Sequence, residues 1–163
     1  MAVLKWLLVT VLALGAVAVI AGQMGMLSGI APPDLGVHEG KLKPPSSSPN
    51  SVSSQAGLWP GHPRHADAQI APIAVVGSPE QTLERLKAVV AATPGARIVE
   101  SRADYLRAEF TTRLMKFTDD AEFWLDPTAG VIHVRSASRL GESDLGVNRA
   151  RIEDIRTRLA GRP

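Results

Sequence analysis

The chain contains no cysteine. A disulfide framework, a thiolate zinc site, a cysteine nucleophile and a lipidated N-terminal cysteine are all excluded by that one absence. Charge of one sign is also lacking. Eighteen Lys and Arg stand against sixteen Asp and Glu, a net charge of +2, too weak a balance to point to nucleic acid. Aromatic residues make up only 4% of the chain. Familiar catalytic signatures are missing too: there is no G-x-S-x-G, no H-E-x-x-H and no G-x-G-x-x-G. Gly141 and Gly146 have the spacing of a phosphate loop, but Val147 and Asn148 stand where lysine and a hydroxyl residue are needed. His62 and His65 flank Pro63-Arg64, a proline-rich setting that predicts no fixed ligand geometry. No metal and no cofactor are expected.

What is present begins with an apolar run. After Lys5, residues 6–22 carry no charge, and Thr10 is their one polar side chain. Apolar character then continues, past Gln23, to Leu27. A spanning helix needs about 20 such residues, and residues 6–27 supply them. A cleaved signal peptide has a shorter apolar core and a small-x-small site. Ala16-Val17-Ala18 offers one, but cutting there leaves a strongly apolar new terminus, so an uncleaved anchor is favoured. A buried core helix is disfavoured because the run has no polar face. Lys5 precedes the span, and Asp34, Glu39, Lys41 and Lys43 after it nearly cancel. The positive-inside bias therefore places the N-terminus in the cytoplasm and the remainder outside, which in a bacterium is the periplasmic face of the inner membrane.

Residues 32–67 hold seven Pro, six Ser and four Gly. Such a stretch has little apolar side chain with which to offset its ordering entropy. Ser48-Pro49-Asn50 reads as a turn. Leu58, Trp59, Ile70 and Ile73 are apolar enough to dock on a domain surface. The segment is expected to be a strap or linker with partial order, separating an anchor at 1–31 from a folded domain at 68–163.

That domain reads as α+β. Ser78, Pro79, Glu80 and Gln81 form a helix start, with serine as cap and proline in the first turn. Leu83, Leu86, Val89 and Val90 make an apolar stripe, and Pro94-Gly95 stops it. The period then changes to two. A short strand at 98–99 is followed by strands at 105–111, 121–125 and 131–135, with Asp126–Gly130 as a hairpin turn. Leu106, Ala108, Phe110, Ala121, Phe123, Leu125, Ile132 and Val134 share one face. A last helix carries Ile152, Ile155 and Leu159, with Arg149, Arg151, Arg156 and Arg158 around them. The expected architecture is a two-layer sandwich: an antiparallel meander of about four strands with two helices on one face, preceded by a transmembrane helix. Tyr105, Arg107, Glu109, Glu122, Trp124, His133 and Arg135 fall on the other face, expected to be solvated and laced with cross-strand ion pairs.

The densest polar cluster is Arg135, Ser136, Ser138, Arg139, Asp144, Asn148 and Arg149. It is expected to leave a strand end, cross a loop and enter a helix, with Asp144 as cap. Asp119, Asp120 and Glu122 form an acidic group able to answer Arg135 or Arg139. Two outcomes are open. Arginines beside a helix N-terminus can hold a small anionic ligand, a carboxylate or phosphate, or the same residues can close on themselves as a structural network.

Three stretches together resemble the domain-of-unknown-function 1499 family: Pro32–Gly36 with Ser48–Ser54, Phe117–Phe123, and Arg135–Arg149. The resemblance covers residues from about 32 to 160. It implies a domain that is often membrane-tethered, and it supplies no reaction. It also implies two cysteines at the places of Pro45 and Ser51, so whatever thiol chemistry relatives carry there cannot occur in this chain. The expected function is a membrane-anchored extracytoplasmic domain with a non-catalytic role in binding or envelope maintenance. The alternative is a hydrolase or transferase acting on a polar anionic substrate at the Arg/Asp/Asn cluster. Protein partners are not legible.

Overall fold

The computed structural model describes residues 1–161. Its first helix, α1 (Ala2–Gln23), is 22 residues long, and by length and composition it can cross a membrane. Its last turn rests on the folded domain. Gly22 is buried there, and a Cβ at this position would come within 2.5 Å of the Met115 carbonyl oxygen. Only glycine permits so close an approach. Gln23 Nε2 donates to the carbonyls of Arg113 and Leu114 at 3.3 and 2.8 Å.

The domain is α+β. Strands β3 (Ala96–Ser101), β4 (Tyr105–Thr111), β5 (Thr118–Asp126) and β6 (Val131–Ser138) form an antiparallel meander. Two further short strands, β1 (Ser51–Ser53) and β2 (Ile73–Ala74), both pair with the outer edge of β6. They lie end to end there, β1 against residues 135–137 and β2 against 131–132. The sheet thus has six strands. The extra two escape the sequence pattern because strands of three and two residues carry no measurable alternation. A short helix, α2 (His65–Ala68), connects them. Helices α3 (Pro79–Ala91) and α4 (Val147–Ala160) pack on one sheet face.

Each element follows from local chemistry. Ser78 Oγ accepts the Gln81 N–H at 3.2 Å as α3 begins, one of the helix-start donors that would otherwise lack a partner. Leu83, Leu86, Val89 and Val90 then bury the expected stripe against Leu106, Phe110, Phe123 and Val134 from the sheet and Ile152 and Ile155 from α4. Val52, Ile70 and Ile73, from the segment before α3, join the same core. Leu58 does not; it is half exposed. Gly95 turns the chain from α3 into β3 at φ +78°, with no room for a Cβ beside the Thr111 carbonyl.

Two expectations change. β5 begins at Thr118 and β6 runs to Ser138, so Asp119, Asp120, Ser136 and Ser138 are strand residues, not loop residues. Their polar side chains hide the strand from an apolar-periodicity reading, yet they pair in register, Asp119 with Ser138 and Asp120 with Ala137. The second correction concerns the sheet face away from the helices, which is covered rather than solvated. Tyr105 and Glu122 are wholly buried, and Arg135 and Trp124 nearly so. The cover is the proline- and serine-rich segment. Leu42 and Val37 pack on Tyr105 and Trp124 as a small second core. Gln55 fixes the cover by accepting the Leu42 N–H at 2.8 Å and donating to the Gly40 carbonyl at 3.0 Å. A strap with few apolar residues suits this face because the face itself is largely polar.

Candidate functional site

Strand pleating decides how the charged residues divide. Successive side chains point to opposite faces, so Asp119 faces the helices while Asp120 faces the strap, and each takes a different arginine.

On the helix side, Arg151 Nη2 donates to Asp119 Oδ2 at 2.5 Å. Its other nitrogen, Nη1, donates to Asn148 Oδ1 at 2.6 Å and to Ser136 Oγ at 3.1 Å. The guanidinium lies over the Phe110 ring, 4.5 Å from its centre, a favourable cation–π placement. Asn148 is fully buried. Its Oδ1 also accepts from Ser136 Oγ at 2.5 Å. Its Nδ2 donates to Ser138 Oγ and to the Asn50 carbonyl, both at 3.1 Å. Asp144 Oδ2 accepts the Asn148 N–H at 2.8 Å, and Oδ1 accepts the Gly146 N–H at 3.0 Å. The N-cap residue of α4 is Gly146 and not Asp144 as expected; Asp144, two residues earlier, reaches the helix start from outside it. Burial pushes its carboxyl up, but these donors outweigh it and hold it below the ordinary value.

On the strap side, Arg139 grips Asp120 with two parallel bonds, Nε to Oδ2 at 2.7 Å and Nη2 to Oδ1 at 2.8 Å. Nη2 also donates to Glu109 Oε1 at 2.6 Å. Glu109 and Asp120 lie directly opposite each other across β4 and β5. Two like charges in that position repel; Arg139 bridges them, Arg97 also pairs with Glu109, and Arg107 Nη1 lies 3.6 Å from Asp120. Hydrogen bonding to Asp120 raises the Arg139 pKa further above its usual range. Burial would lift Glu109, but Arg139 and Arg97 together hold it below its ordinary value.

A third group sits deeper under the strap. Glu122 Oε1 accepts from Tyr105 Oη at 2.8 Å and from the Gly36 N–H at 2.7 Å. Arg135 Nη1 lies 3.6 Å from Glu122 Oε2, and Arg135 Nε donates to the Pro44 carbonyl at 3.1 Å. Burial disfavours charge on both partners. It raises the Glu122 pKa despite Arg135, and it lowers that of Arg135 despite Glu122.

The ten residues read from the sequence do not meet at one point. Ser136, Ser138, Asp144, Asn148 and Asp119 form the helix-side network, Arg139 and Asp120 the strap-side clamp, and Arg135 and Glu122 the covered pair. Arg149 belongs to none of these. It donates to the carbonyls of Asp67 and Gln69 at 2.8 and 2.9 Å. Arg156, two turns on, does the same to Pro72 and Ala71 at 2.6 and 2.8 Å. Sequence reasoning missed Arg151 and Glu109 as members. Their period-two and helical positions relative to Asp119 and Asp120 carry the signal, but only once the register between β4, β5 and α4 is known. Among the described residues, no group of three or more His, Asp or Glu is arranged to hold a metal ion.

No curated protein and no solved structure matches the chain. The model of the family described as Protein of unknown function (DUF1499) does match, over residues 41–159. That stretch takes in the strap from Lys41 onward as well as the sheet and both packed helices, and the chain belongs to this family.

Proposed function

We propose that the chain is a membrane-anchored extracytoplasmic domain that performs no chemistry of its own and serves binding or maintenance at the cell envelope, its charged cluster holding the fold together. One observation carries the reading: every arginine of the cluster is already answered within the chain. Arg139 has Asp120 and Glu109, Arg151 has Asp119 and Asn148, Arg135 has Glu122 and Pro44, and Arg149 has two backbone carbonyls. An enzyme needs a poised acid or base at an open pocket. Glu122 is the carboxyl whose pKa is raised, and the strap seals it from solvent.

The anchor half of the proposal rests on α1, apolar on all sides and unburied through its hydrophobic stretch. Lys5, in its first turns and ahead of the apolar run, favours a cytoplasmic N-terminus. Alkaline carbonate washing of membranes tests this half. Full-length chain in the pellet is expected, whereas a soluble form beginning near Val19 overturns the anchor in favour of a cleaved signal. Protease added to the outer face should digest the domain and spare an N-terminal tag. Arg139→Ala tests the other half. Lowered stability is expected, and unchanged stability with loss of an anionic ligand overturns the structural reading.

A further inference from the structure

We propose that the end of the domain next to α1 seats on the bilayer, with its apolar loop residues in the headgroup region and two cations against anionic phospholipid. The inference rests on α1 spanning the membrane and adds a second membrane contact to it.

Geometry places this end at the lipid boundary. From Trp6 to Gln23 a helix rises about 27 Å, close to the ~30 Å thickness of the hydrocarbon core. Gln23 and the loop it touches therefore emerge together at the interface. That loop is the β4–β5 hairpin, held to α1 by the Gln23 bonds to Arg113 and Leu114 and by the Gly22–Met115 approach. The chain leaving α1 then runs over the loop after β6: a Cβ on Gly29 would lie 2.7 Å from Arg139 Cβ and 3.1 Å from Leu140 Cγ. Both loops flank the point where the helix ends.

These loops expose what a soluble surface does not need. Leu145 is 93% exposed, Leu114 60% and Val147 48%, with Leu140 and Phe117 close behind. Four of them, Phe117, Leu140, Leu145 and Val147, line one groove of about 210 Å³. Val147 and Thr112 continue it into a larger groove of about 880 Å³, floored by Phe110 and edged by Arg113, Lys116 and Arg151. A contiguous apolar patch of this kind marks an interaction surface.

Charge selects the occupant. Arg151 is committed to Asp119. Asp144 and Asp154 border the grooves, but Asp144 is held by backbone N–H groups and Asp154 lies 3.4 Å from Arg158. Arg113 and Lys116 have no side-chain partner among the described residues. Cations beside exposed aliphatic groups at the lipid boundary match an anionic headgroup over acyl chains.

The absence of native cysteine allows single spin labels in the full chain, reconstituted in vesicles of phosphatidylethanolamine with phosphatidylglycerol. Labels at Leu114→Cys and Leu145→Cys are expected to be several-fold more accessible to oxygen than to a water-soluble nickel chelate. A label at Val76→Cys, beyond the far end of α3, should show the reverse. Leu12→Cys reports the anchor separately. If Leu12→Cys lies in lipid while both loop labels lie in water, the docking proposal is overturned and the anchor stands. If Leu12→Cys lies in water, the anchor fails and the docking falls with it. In vesicles of phosphatidylcholine alone the loop labels should lift toward water; an unchanged depth overturns the part assigned to Arg113 and Lys116.

Discussion

Asn148 Nδ2 donates to the main-chain oxygen of Asn50 at 3.1 Å, joining the first turn of α4 to a strap residue 98 positions earlier. Nothing on this amide is spare. Oδ1 accepts from Ser136 and Arg151, and Nδ2 donates to Asn50 and Ser138, which fills its two lone pairs and both donors. Asn50 Nδ2 in turn donates to the Gly141 carbonyl at 2.8 Å. One buried amide thus orients the strap, β6 and α4 together. Asn148→Leu keeps the volume and strips the polar partners. Leaving buried groups unmade costs about 1–3 kcal/mol each, so a loss of roughly 3 kcal/mol is expected in chemical denaturation. A loss below about 1 kcal/mol would mean that water replaces the amide and that the junction is not what orders the strap.

The clamp on Asp120 should behave as a buried pair. Arg139 keeps only 8% of its side chain exposed and Asp120 only 2%. Removing the arginine strips Asp120 of its two hydrogen bonds and leaves it only Arg107 at 3.6 Å, while Glu109 keeps Arg97. Breaking a pair of this kind costs about 3–5 kcal/mol, and Arg139→Ala should lose at least the lower figure. The double variant Arg139→Ala/Asp120→Asn should regain part of it, because the uncompensated charge is then gone. Urea titrations of the two variants and the parent give the comparison. The glutamate adds a pH signature. Its carboxyl is held below the ordinary 4.5, so its contribution is present above that value and is lost as pH falls below it.

His133 supplies a signature nearer neutrality. Its ring stacks on Trp124 with centroids 5.6 Å apart. Nδ1 lies 3.0 Å from Ser54 Oγ, and Nε2 lies 3.6 Å from Asp126. Burial lowers its pKa below 6.5, and Asp126 recovers only part of the shift. Below 6.5 the unfolded chain takes up a proton that the folded ring resists. Stability therefore falls as the solution is acidified from about pH 7 toward the lowered value. Thermal melts at pH 7.5 and 5.5 should differ less in His133→Gln than in the parent. An equal difference in both would assign the acid sensitivity elsewhere.

The meander and its helices were legible because they obey a period. Leu106, Ala108 and Phe110 alternate, Leu83 to Val90 recur by threes and fours, and Ser78 announces a cap, so local chemistry and burial point the same way. The strap was legible as a partly ordered segment, but its seat on the polar sheet face was not, for the opposite reason. Between Pro32 and Trp59 its fully buried apolar residues are Leu42, Val52 and Ala56, with Pro45 also inside. It holds by backbone and side-chain hydrogen bonds to specific partners, such as Gly36 to Glu122 and Leu42 to Gln55, and such pairings have no sequence period. The charged cluster was legible in composition and not in connectivity. Asp119 and Asp120 read as one acidic patch in the sequence, but the pleat sends them to opposite faces. Arg149 and Arg151 read as neighbours, and a 200° turn of the helix between them sends one to the strap and the other to the sheet.

The remaining question is whether the strap unfolds with the domain or apart from it, and Leu42 can answer it. Leu42 is 1% exposed, in contact with the small core of Tyr105 and Trp124, whereas Leu86 is fully buried in the main core on the other sheet face. Leu→Ala at a well-packed site costs about 2–5 kcal/mol, part of it from the cavity left behind. The two cores share the sheet between them: Tyr105 and Leu106, and likewise Phe123 and Trp124, are chain neighbours pointing opposite ways. Distortion on one side is therefore felt on the other, and the covered Glu122–Arg135 pair would meet water if the strap lifted. Both Leu42→Ala and Leu86→Ala should then shift one common transition, measured on the full chain in detergent by far-ultraviolet circular dichroism and by tryptophan fluorescence. Trp59 and Trp124 report the strap side, and the backbone signal is dominated by the helices and sheet. If Leu42→Ala moves the fluorescence transition alone and leaves the dichroism melt in place, the strap is a separable cover and the sheet with α3 and α4 is the cooperative unit.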